Sequence, residues 1–387
     1  MPDYPDFPKE EYEQRYARAR ALMEERGLDG LLITEELNYI YFTGHRSQQN
    51  PIDKIRPYIF IFPKDGEGVL ITMPFEVGQV RETTWVTDVR TGGLTGYTDL
   101  VVSILEEKGL SRGKIGAELG REQYLGINYN TFEDIRMSLQ SATFVDAALI
   151  FLILRATKSP AEVEYMRKAA QITATSIGQT YETIHSGMTG IEISRVLRKF
   201  LAENGGEKVT FMCVTAGLAP GTGMVSVATE RRIRLGDVLV LDTGVEYRGY
   251  ASDVARSASV GEPKPELAEF YKWMGQVRQR CVNLLRAGAR PKDVVLACRE
   301  VIAERGLETT GVGRIGHGVG LESTEYPSLA MEEDIVLQEG HILTCNPNFV
   351  REFGFINGED EWLVTTGAPE PLSTPITPTE LPIVRVK

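Results

Sequence analysis

The feature that most constrains the fold is the stretch VLVLDTGVEYRGYASDVARS at 238–257, which carries Asp242 and Asp253 eleven positions apart. An apolar run leads into Asp242 and a turn-like EYRG lies between the aspartates, so the pattern predicts a largely buried β-hairpin. A two-residue turn at 247–248 places Asp242 directly opposite Asp253, with Cβ atoms roughly 4.5–5.5 Å apart. A four-residue loop over 246–249 gives the same register, whereas a three-residue loop breaks it.

Two like charges facing each other on a buried hairpin are unfavourable unless a cation or a shared proton compensates them. The alternative is that both aspartates lie on a solvated face. Two later segments favour a cation: RIGHGVGLESTEYP places His317 between glycines, and NGEDEWLVTT places Glu359 just before an apolar strand. Two Asp, one His and one Glu form a hard-cation site suited to Mn, Fe, Co or Zn.

The length of 387 residues predicts two domains rather than a single core. In residues 1–155 a helix is expected over 9–26, and strand-like apolar runs then alternate with helical stretches, which is typical of an α/β domain. Residues 156–387 open with helical segments and continue with a β-rich stretch over 208–260 and two further helices. This second domain is predicted to be α+β.

Capping residues mark two helix starts in the second domain. Ser159 stands three positions before Glu162, and Thr189 stands three positions before Glu192. In both cases a hydroxyl can accept from the first turn while the glutamate reaches back to the cap. We therefore expect helices to begin just after Ser159 and just after Thr189.

Composition limits the partners and the compartment. A net charge of −12 argues against nucleic acid or an anionic membrane surface as a partner. The four cysteines show no CxxC spacing and are interpreted as reduced, buried thiols of a cytoplasmic protein. The acidic N-terminus has no apolar segment typical of a signal peptide, and no apolar run is long enough to span a bilayer.

The motifs DTGVEYRGYASD, GHGVGL and GEDEWLVT resemble, in type, order and spacing, those of the metallopeptidase family with the pita-bread fold. That family includes Xaa-Pro aminopeptidase, prolidase, methionine aminopeptidase and the metal-free creatinase. The resemblance implies a creatinase/prolidase-like α/β N-terminal domain over 1–155 and an α+β pita-bread catalytic domain over 156–387. It also implies metal-ligand positions at Asp242, Asp253, His317, Asn346 and Glu359.

The sequence departs from the family pattern at three of its functional positions. Where the family reads T-x-E-P, with a glutamate that bridges two metals and acts as base, this chain reads TCNP with Asn346. An amide is neutral and cannot accept that proton. The positions of two substrate histidines are Val225 and Thr324. We therefore expect at most one tightly bound divalent metal per chain and weak Xaa-Pro peptidase activity.

The leading functional hypothesis is a metal-dependent hydrolase that cuts a C–N bond, peptide or amidine-like, in a small substrate or short peptide bearing a carboxylate. Glu325 or Glu322 would replace the missing base, although either side chain could instead be a solvated loop residue. Three alternatives stay open. They are a lyase acting on a small carboxylate such as dimethylsulfoniopropionate, a metal-free creatinase-like enzyme, and a non-catalytic peptide-binding relative.

The resemblance also implies a homodimer in which the first domain of one subunit covers the active site of the other. The polar loop HRSQQNPIDKIRPY at 45–58 fits that role, since loops of this length in compact domains tend to be functional. It carries Arg56, and in creatinase the matching arginine holds the substrate carboxylate across the dimer. Arg56 is therefore a candidate substrate-binding residue, the alternative being a surface cation at a strand start.

Overall fold

The structure is a computed structural model that describes residues 6–47, 58–93, 97–217, 227–308 and 313–387. Its contacts divide the chain into two compact units, Met1–Arg155 and Ala156–Lys387. Two of the predicted substrate-binding residues, Arg56 and Val225, lie outside the described residues.

The first unit is built on a mixed six-stranded sheet with the order β4-β3-β2-β1-β5-β6. Its strands are β1 (Gly30–Ile33), β2 (Ile59–Pro63), β3 (Val69–Thr72), β4 (Asp88–Thr91), β5 (Lys114–Ala117) and β6 (Thr143–Asp146). Its helices are α1 (Lys9–Arg26), α2 (Glu36–Thr43), α3 (Val77–Thr83), α4 (Tyr97–Glu107), α5 (Tyr129–Ser138) and α6 (Ala148–Ala156), with a 3-10 turn at Pro74–Glu76. The predicted α/β class is confirmed, as is the first helix.

The second unit begins with the two helices whose caps the sequence marks. In α7 (Pro160–Thr183) and α8 (Gly190–Glu203), Ser159 and Thr189 each accept from the third helical amide, and the glutamate there accepts from the cap amide. Both capping boxes are therefore formed. Two further helices of this unit, later in the chain, are α9 (Pro265–Val282) and α10 (Pro291–Ala303).

Two five-stranded sheets form the body of the second unit. The first has the order β18-β10-β8-β7, with β9 paired to β8, and the second has the order β12-β11-β13-β16-β17. The strands are β7 (Lys208–Ala216), β8 (Val238–Tyr247), β9 (Tyr250–Ala251), β10 (Val254–Val260), β11 (Arg314–Gly318), β12 (Glu325–Ala330), β13 (Ile342–Cys345), β14 (Phe349–Arg351), β15 (Gly354–Ile356), β16 (Asp360–Leu363), β17 (Glu370–Pro371) and β18 (Ile383–Val384). The predicted α+β class is confirmed.

Apolar side chains of the second unit form two buried clusters. One lies between α7, α8 and the first sheet, and the other lies between α9, α10 and the second sheet. Burial on this scale, at about 25 cal/mol per Å² of apolar surface, is the main favourable term that fixes the sheets. None of the helices in the described part of the chain has the length and apolar character needed to cross a bilayer.

The expectation that all four cysteines are reduced is wrong for Cys281 and Cys345, which form a disulfide. Cys281 lies on α9 and Cys345 on β13, and packing of the helix on the sheet brings their Cα atoms to 6.6 Å, within the range that a disulfide spans. Cys213 and Cys298 are buried and take no part in this disulfide, as predicted.

The predicted register of the hairpin is wrong. The two-residue turn consists of Arg248 and Gly249 rather than the residues at 247–248. Both turn residues have positive φ, 53° and 79°. A two-residue turn of type I′ requires this at both central positions, and glycine is the residue that adopts it without a steric cost.

The corrected turn pairs Asp242 with Ala255 instead of Asp253. The error amounts to two residues along one strand. Because side chains alternate between the two faces of a strand, a shift of two keeps Asp253 on the face that carries Asp242. The aspartates are therefore diagonal neighbours, and the prediction that they share a site does not depend on the register error.

Candidate metal centre

Three of the predicted ligands, Asp253, His317 and Glu359, converge in the second unit. Each offers a ligand atom, these atoms lie within 4.8 Å of one another, and all three residues are buried. The Nε2 atom of His317 lies 3.7 Å from Oδ2 of Asp253 and 3.5 Å from Oε1 of Glu359. Asp253 directly precedes β10, His317 lies on β11 and Glu359 directly precedes β16.

Ala255 on β10 joins the two sheets at this point. It pairs with Asp242 of β8 on one side. On the other side it exchanges main-chain hydrogen bonds with Glu359: the Glu359 amide donates to Ala255 O over 3.0 Å, and the Ala255 amide donates to Glu359 O over 3.3 Å. Asp242 and Glu359 thus lie on either side of Ala255, which has a small side chain. Their carboxylates can therefore approach the same point.

Asn357 links these two carboxylates. Its Nδ2 lies 3.4 Å from Oδ2 of Asp242 and 3.4 Å from Oε2 of Glu359. Both distances are long for hydrogen bonds, so each contact is weak. Asp242 therefore belongs to the same polar cluster as Asp253, His317 and Glu359.

The imidazole of His317 is oriented by its surroundings. Its Nδ1 lies 3.0 Å from Gly318 O, and its main-chain amide donates to Oγ1 of Thr344 over 3.2 Å. When Nδ1 carries the proton and donates to that carbonyl, the lone pair of Nε2 faces the carboxylates of Asp253 and Glu359. A neutral imidazole held by a carbonyl at its other nitrogen is the usual arrangement of a histidine metal ligand.

Three oxygens of this cluster are buried and have no hydrogen-bond partner among the described residues. They are Oδ1 of Asp242, Oδ1 of Asp253 and Oε1 of Glu359. Burial raises the pKa of Asp242 and of Asp253 well above the usual range, and the nearby charge of Glu359 adds to both shifts. A divalent cation would satisfy these oxygens, and carboxylate plus imidazole donors suit Mn, Fe, Co or Zn.

Glu361 and Lys158 are two buried charged residues near the cluster that the sequence analysis did not identify. Oε1 of Glu361 accepts from the main-chain amide of Asp253 over 2.7 Å, and Glu361 is fully buried. Burial raises the pKa of Glu361, and the positive charge of Lys158 opposes that rise. A signal for Glu361 was present, since it follows Glu359 by two positions and must face the same way in a strand.

The two candidate bases and Thr324 lie at the start of β12. Glu325 is buried, its Oε1 accepts from the Glu322 amide over 3.1 Å, and its Oε2 lies 3.6 Å from Nζ of Lys158. The interpretation of Glu325 as a solvated loop residue is therefore wrong. Glu322 and Thr324 are exposed.

Asn346 lies at the end of β13, directly after the pair formed by Cys345 and Asp360. Its main-chain amide donates to Ile315 O over 2.9 Å, and its carbonyl accepts from Nδ2 of Asn348 over 3.1 Å. The residue is half-buried. Its role as a ligand stays a prediction.

The second unit matches the model of metallopeptidase family M24 over residues 164–366, and the first unit matches the creatinase/prolidase N-terminal domain over residues 15–157. Both units therefore carry the signature that the sequence motifs predicted.

Individual proteins resemble the chain along nearly its whole length. An uncharacterized peptidase of Staphylococcus aureus is 26% identical over 352 residues, which cover 89% of this chain and 94% of the relative. An Xaa-Pro dipeptidase of Pyrococcus furiosus is 27% identical, with coverage of 91% and 95%. The solved structure of an Xaa-Pro dipeptidase from Bacillus anthracis has a TM-score of 0.85 at 28% identity and covers 96% of this chain and 99% of its own.

Proposed function

Because the chain belongs to metallopeptidase family M24, whose model spans more than half of it, we propose that it is a metal-dependent dipeptidase that cuts the C–N bond of Xaa-Pro or similar short peptides. The relatives named as Xaa-Pro dipeptidases support this substrate class. The observation that carries the proposal is the group formed by Asp253, His317 and Glu359, whose ligand atoms lie within 4.8 Å of one another.

The chain's own residues hold and order such a centre. Asp242, Asp253, His317 and Glu359 would bind the ion. The Gly318 carbonyl fixes the imidazole of His317, Thr344 fixes the backbone of His317, and Glu361 fixes the backbone of Asp253. A bound divalent ion polarises the scissile carbonyl and lowers the pKa of a water molecule.

Glu325 is the proposed proton acceptor in place of the missing glutamate of the TxEP motif. Its Oε2 would take the proton of the attacking water. The ion pair with Lys158 holds this carboxylate in position, because both side chains are buried and their polar atoms are 3.6 Å apart. Glu322 is exposed and contacts Glu325 through its main-chain amide, which makes it the weaker candidate.

The proposed centre holds one ion tightly rather than two. Asp242, Asp253 and Glu359 supply three negative charges, and Asn346 contributes none. A fourth carboxylate, Glu361, is partly engaged by the Asp253 amide and faces the positive charge of Lys158. Three available carboxylates and a neutral histidine balance a single divalent ion better than a pair.

Hydrolysis of a panel of Xaa-Pro and other dipeptides tests the proposal, using protein reconstituted with Mn²⁺ or Co²⁺. Slow but metal-dependent hydrolysis is expected. Asp253→Asn should abolish it, whereas Asp293→Asn, an exposed aspartate on α10, should leave it unchanged. Bound metal without hydrolysis, together with cleavage of dimethylsulfoniopropionate, would show a lyase instead. Neither metal nor turnover would show a binding module.

We further propose that the protein acts as a homodimer. The support is the family resemblance and the polar sequence at 45–58, which includes Arg56. Sedimentation equilibrium measures the mass directly, and a monomer at micromolar concentration would refute the dimer. Arg56→Ala should raise KM for a substrate with a free carboxylate about tenfold through loss of a charge-assisted contact.

A further inference from the structure

A cavity of about 310 Å³ lies in the second unit at the surface of α9. One wall is a single face of that helix, formed by Lys272, Gly275, Gln276 and Gln279, which follow the i, i+3, i+4, i+7 spacing of helical neighbours. The C-terminal segment at 376–379 lines the cavity as well. The volume is at the lower end of the range found for small-molecule sites.

Arg278 lines this cavity and is an unusual buried cation. Its side chain is only 8% exposed, and it forms no ion pair with any residue that the structure describes. Its Nη1 has no hydrogen-bond partner in the described part of the chain. The face of Tyr271, 5.7 Å away, gives partial compensation. A buried guanidinium without a carboxylate is costly, so an anion here would be stabilising.

The charge of the neighbouring Asp360 opposes the lowering of the Arg278 pKa by burial, but its carboxylate oxygens are hydrogen-bonded to other groups. Asp360 lines the same cavity, but its Oδ1 accepts from Nη2 of Arg256 over 2.6 Å, and its Oδ2 accepts from the Thr377 amide over 3.0 Å. The hydroxyl of Thr377 is itself buried and has no partner among the described residues. Two polar atoms of the lining residues, Nη1 of Arg278 and Oγ1 of Thr377, thus have no hydrogen-bond partner among the described residues.

The two residues lie side by side. A Cβ atom built on Gly358 would lie 2.6 Å from Nη1 of Arg278 and 3.0 Å from a methyl carbon of Thr377. On the helix side, the corresponding position on Gly275 would be 3.7 Å from Nη2 of Arg278. The guanidinium thus lies directly against Gly358 and close to Gly275.

The rest of the lining combines a second positive charge with apolar surface. Lys272 is exposed and forms no ion pair with the described residues. Val282, Trp362 and Ile376 supply apolar atoms. Two cations that form no ion pair with the described residues, beside an apolar wall, are complementary to an anion with an apolar body.

We propose that this cavity binds a small organic carboxylate, with its carboxylate against Arg278, Thr377 and Lys272 and its apolar body against Trp362 and Ile376. The site is separate from the candidate metal centre, because its lining includes none of Asp242, Asp253, His317 or Glu359. Its ligand need not be the peptide substrate.

Benzoate is a suitable probe, and its binding to the full-length protein can be followed by saturation-transfer NMR and calorimetry. Saturable binding is expected, with benzamide and inorganic phosphate each at least tenfold weaker because each lacks half of the recognised chemistry. Lys272→Glu should weaken benzoate binding at least tenfold. The matched variant Lys292→Glu, an exposed lysine of α10 outside the lining, should leave it unchanged.

If the Arg278→Met variant folds, it is the stronger test. If it does not fold, Lys272→Glu still tests the proposal, because that lysine is exposed. No saturable binding, equal affinity for benzamide, or benzoate affinity unchanged by Lys272→Glu would overturn the proposal. Phosphate binding as tightly as benzoate would overturn the assignment of an organic ligand.

Discussion

The Nε2 atom of His317 lies 3.5 Å from Oε1 of Glu359, although His317 lies on β11 and Glu359 directly precedes β16, far away in sequence. That separation is long for a hydrogen bond. Two atoms that are each about 2.1 Å from a common ion, at a tetrahedral angle, lie about 3.4 Å apart. The pair is thus spaced as two ligands of one ion.

His317→Ala should remove tightly bound metal from the protein, because it deletes the only nitrogen donor of the proposed set. Metal content after dialysis, measured by mass spectrometry, should fall at least tenfold. His185→Ala serves as the control, since that histidine contacts Ser186 O and lies outside the cluster. Equal metal content in both variants would contradict the assignment of His317.

Arg256→Met should lower the free energy of unfolding by about 3–5 kcal/mol, because it leaves the buried Asp360 without its partner. Arg256 donates to Asp360 and to the carbonyl of Glu359, each over 2.6 Å. Arg290→Met, which breaks an exposed pair with Asp334, should change stability by about 1 kcal/mol or less. Urea titration measures the free energy of unfolding of both variants. Similar losses of stability in the two would contradict the prediction.

Much of the candidate centre could be predicted from sequence because its ligands sit beside apolar strands and in glycine-rich motifs. The register of the hairpin was predicted wrongly, because the choice between turns at 247–248 and 248–249 depends on which pair adopts positive φ, and that requirement was not applied. Gly249 was the available signal. The register error did not change the predicted site, because a shift of two residues keeps each side chain on the same face of its strand.

The roles of Lys158 and Cys345 could not be predicted, because both depend on long-range packing. The side chain of Lys158 approaches Glu325, and its main-chain amide donates to Gly340 O, and no local sequence pattern indicates either contact. Cys345 bonds to Cys281 over a sequence separation of 64, and the spacing of the cysteines carries no such information.

Stability of the first unit should depend on pH through Glu118. Burial raises the pKa of Glu118 from 4.5 to about 7, although the Thr34 and Glu35 amides donate to its carboxylate. A raised folded pKa gives stability that is full below about 4.5 and is lost as pH rises through about 7. The contribution should fall by roughly 2–3 kcal/mol between pH 5 and 8.

Urea unfolding of Glu118→Gln at the two pH values isolates this contribution. The wild-type protein should lose more stability than the variant between pH 5 and pH 8. Glu106→Gln, an exposed carboxylate on α4, should keep the wild-type dependence. A variant with the full wild-type loss would show that Glu118 is ionised throughout this range.

Thr324→His should raise kcat/KM for Xaa-Pro dipeptides by up to roughly 100-fold, because it restores a donor to the developing oxyanion. Thr324 is exposed just before β12, where a larger side chain can be accommodated. Thr324→Phe matches the bulk without the donor and should give no gain. Wild-type turnover already equal to that of Thr324→His would contradict the weak-activity prediction.

The metal content of the dialysed, unmodified protein tests the central claim most directly. Asp242, Asp253, His317 and Glu359 should retain one equivalent of a divalent ion per chain, since Asn346 removes the fourth negative charge. Asn346→Glu, measured beside it, should raise the content toward two. One equivalent in the unmodified protein is the predicted result, and either none or two would contradict it.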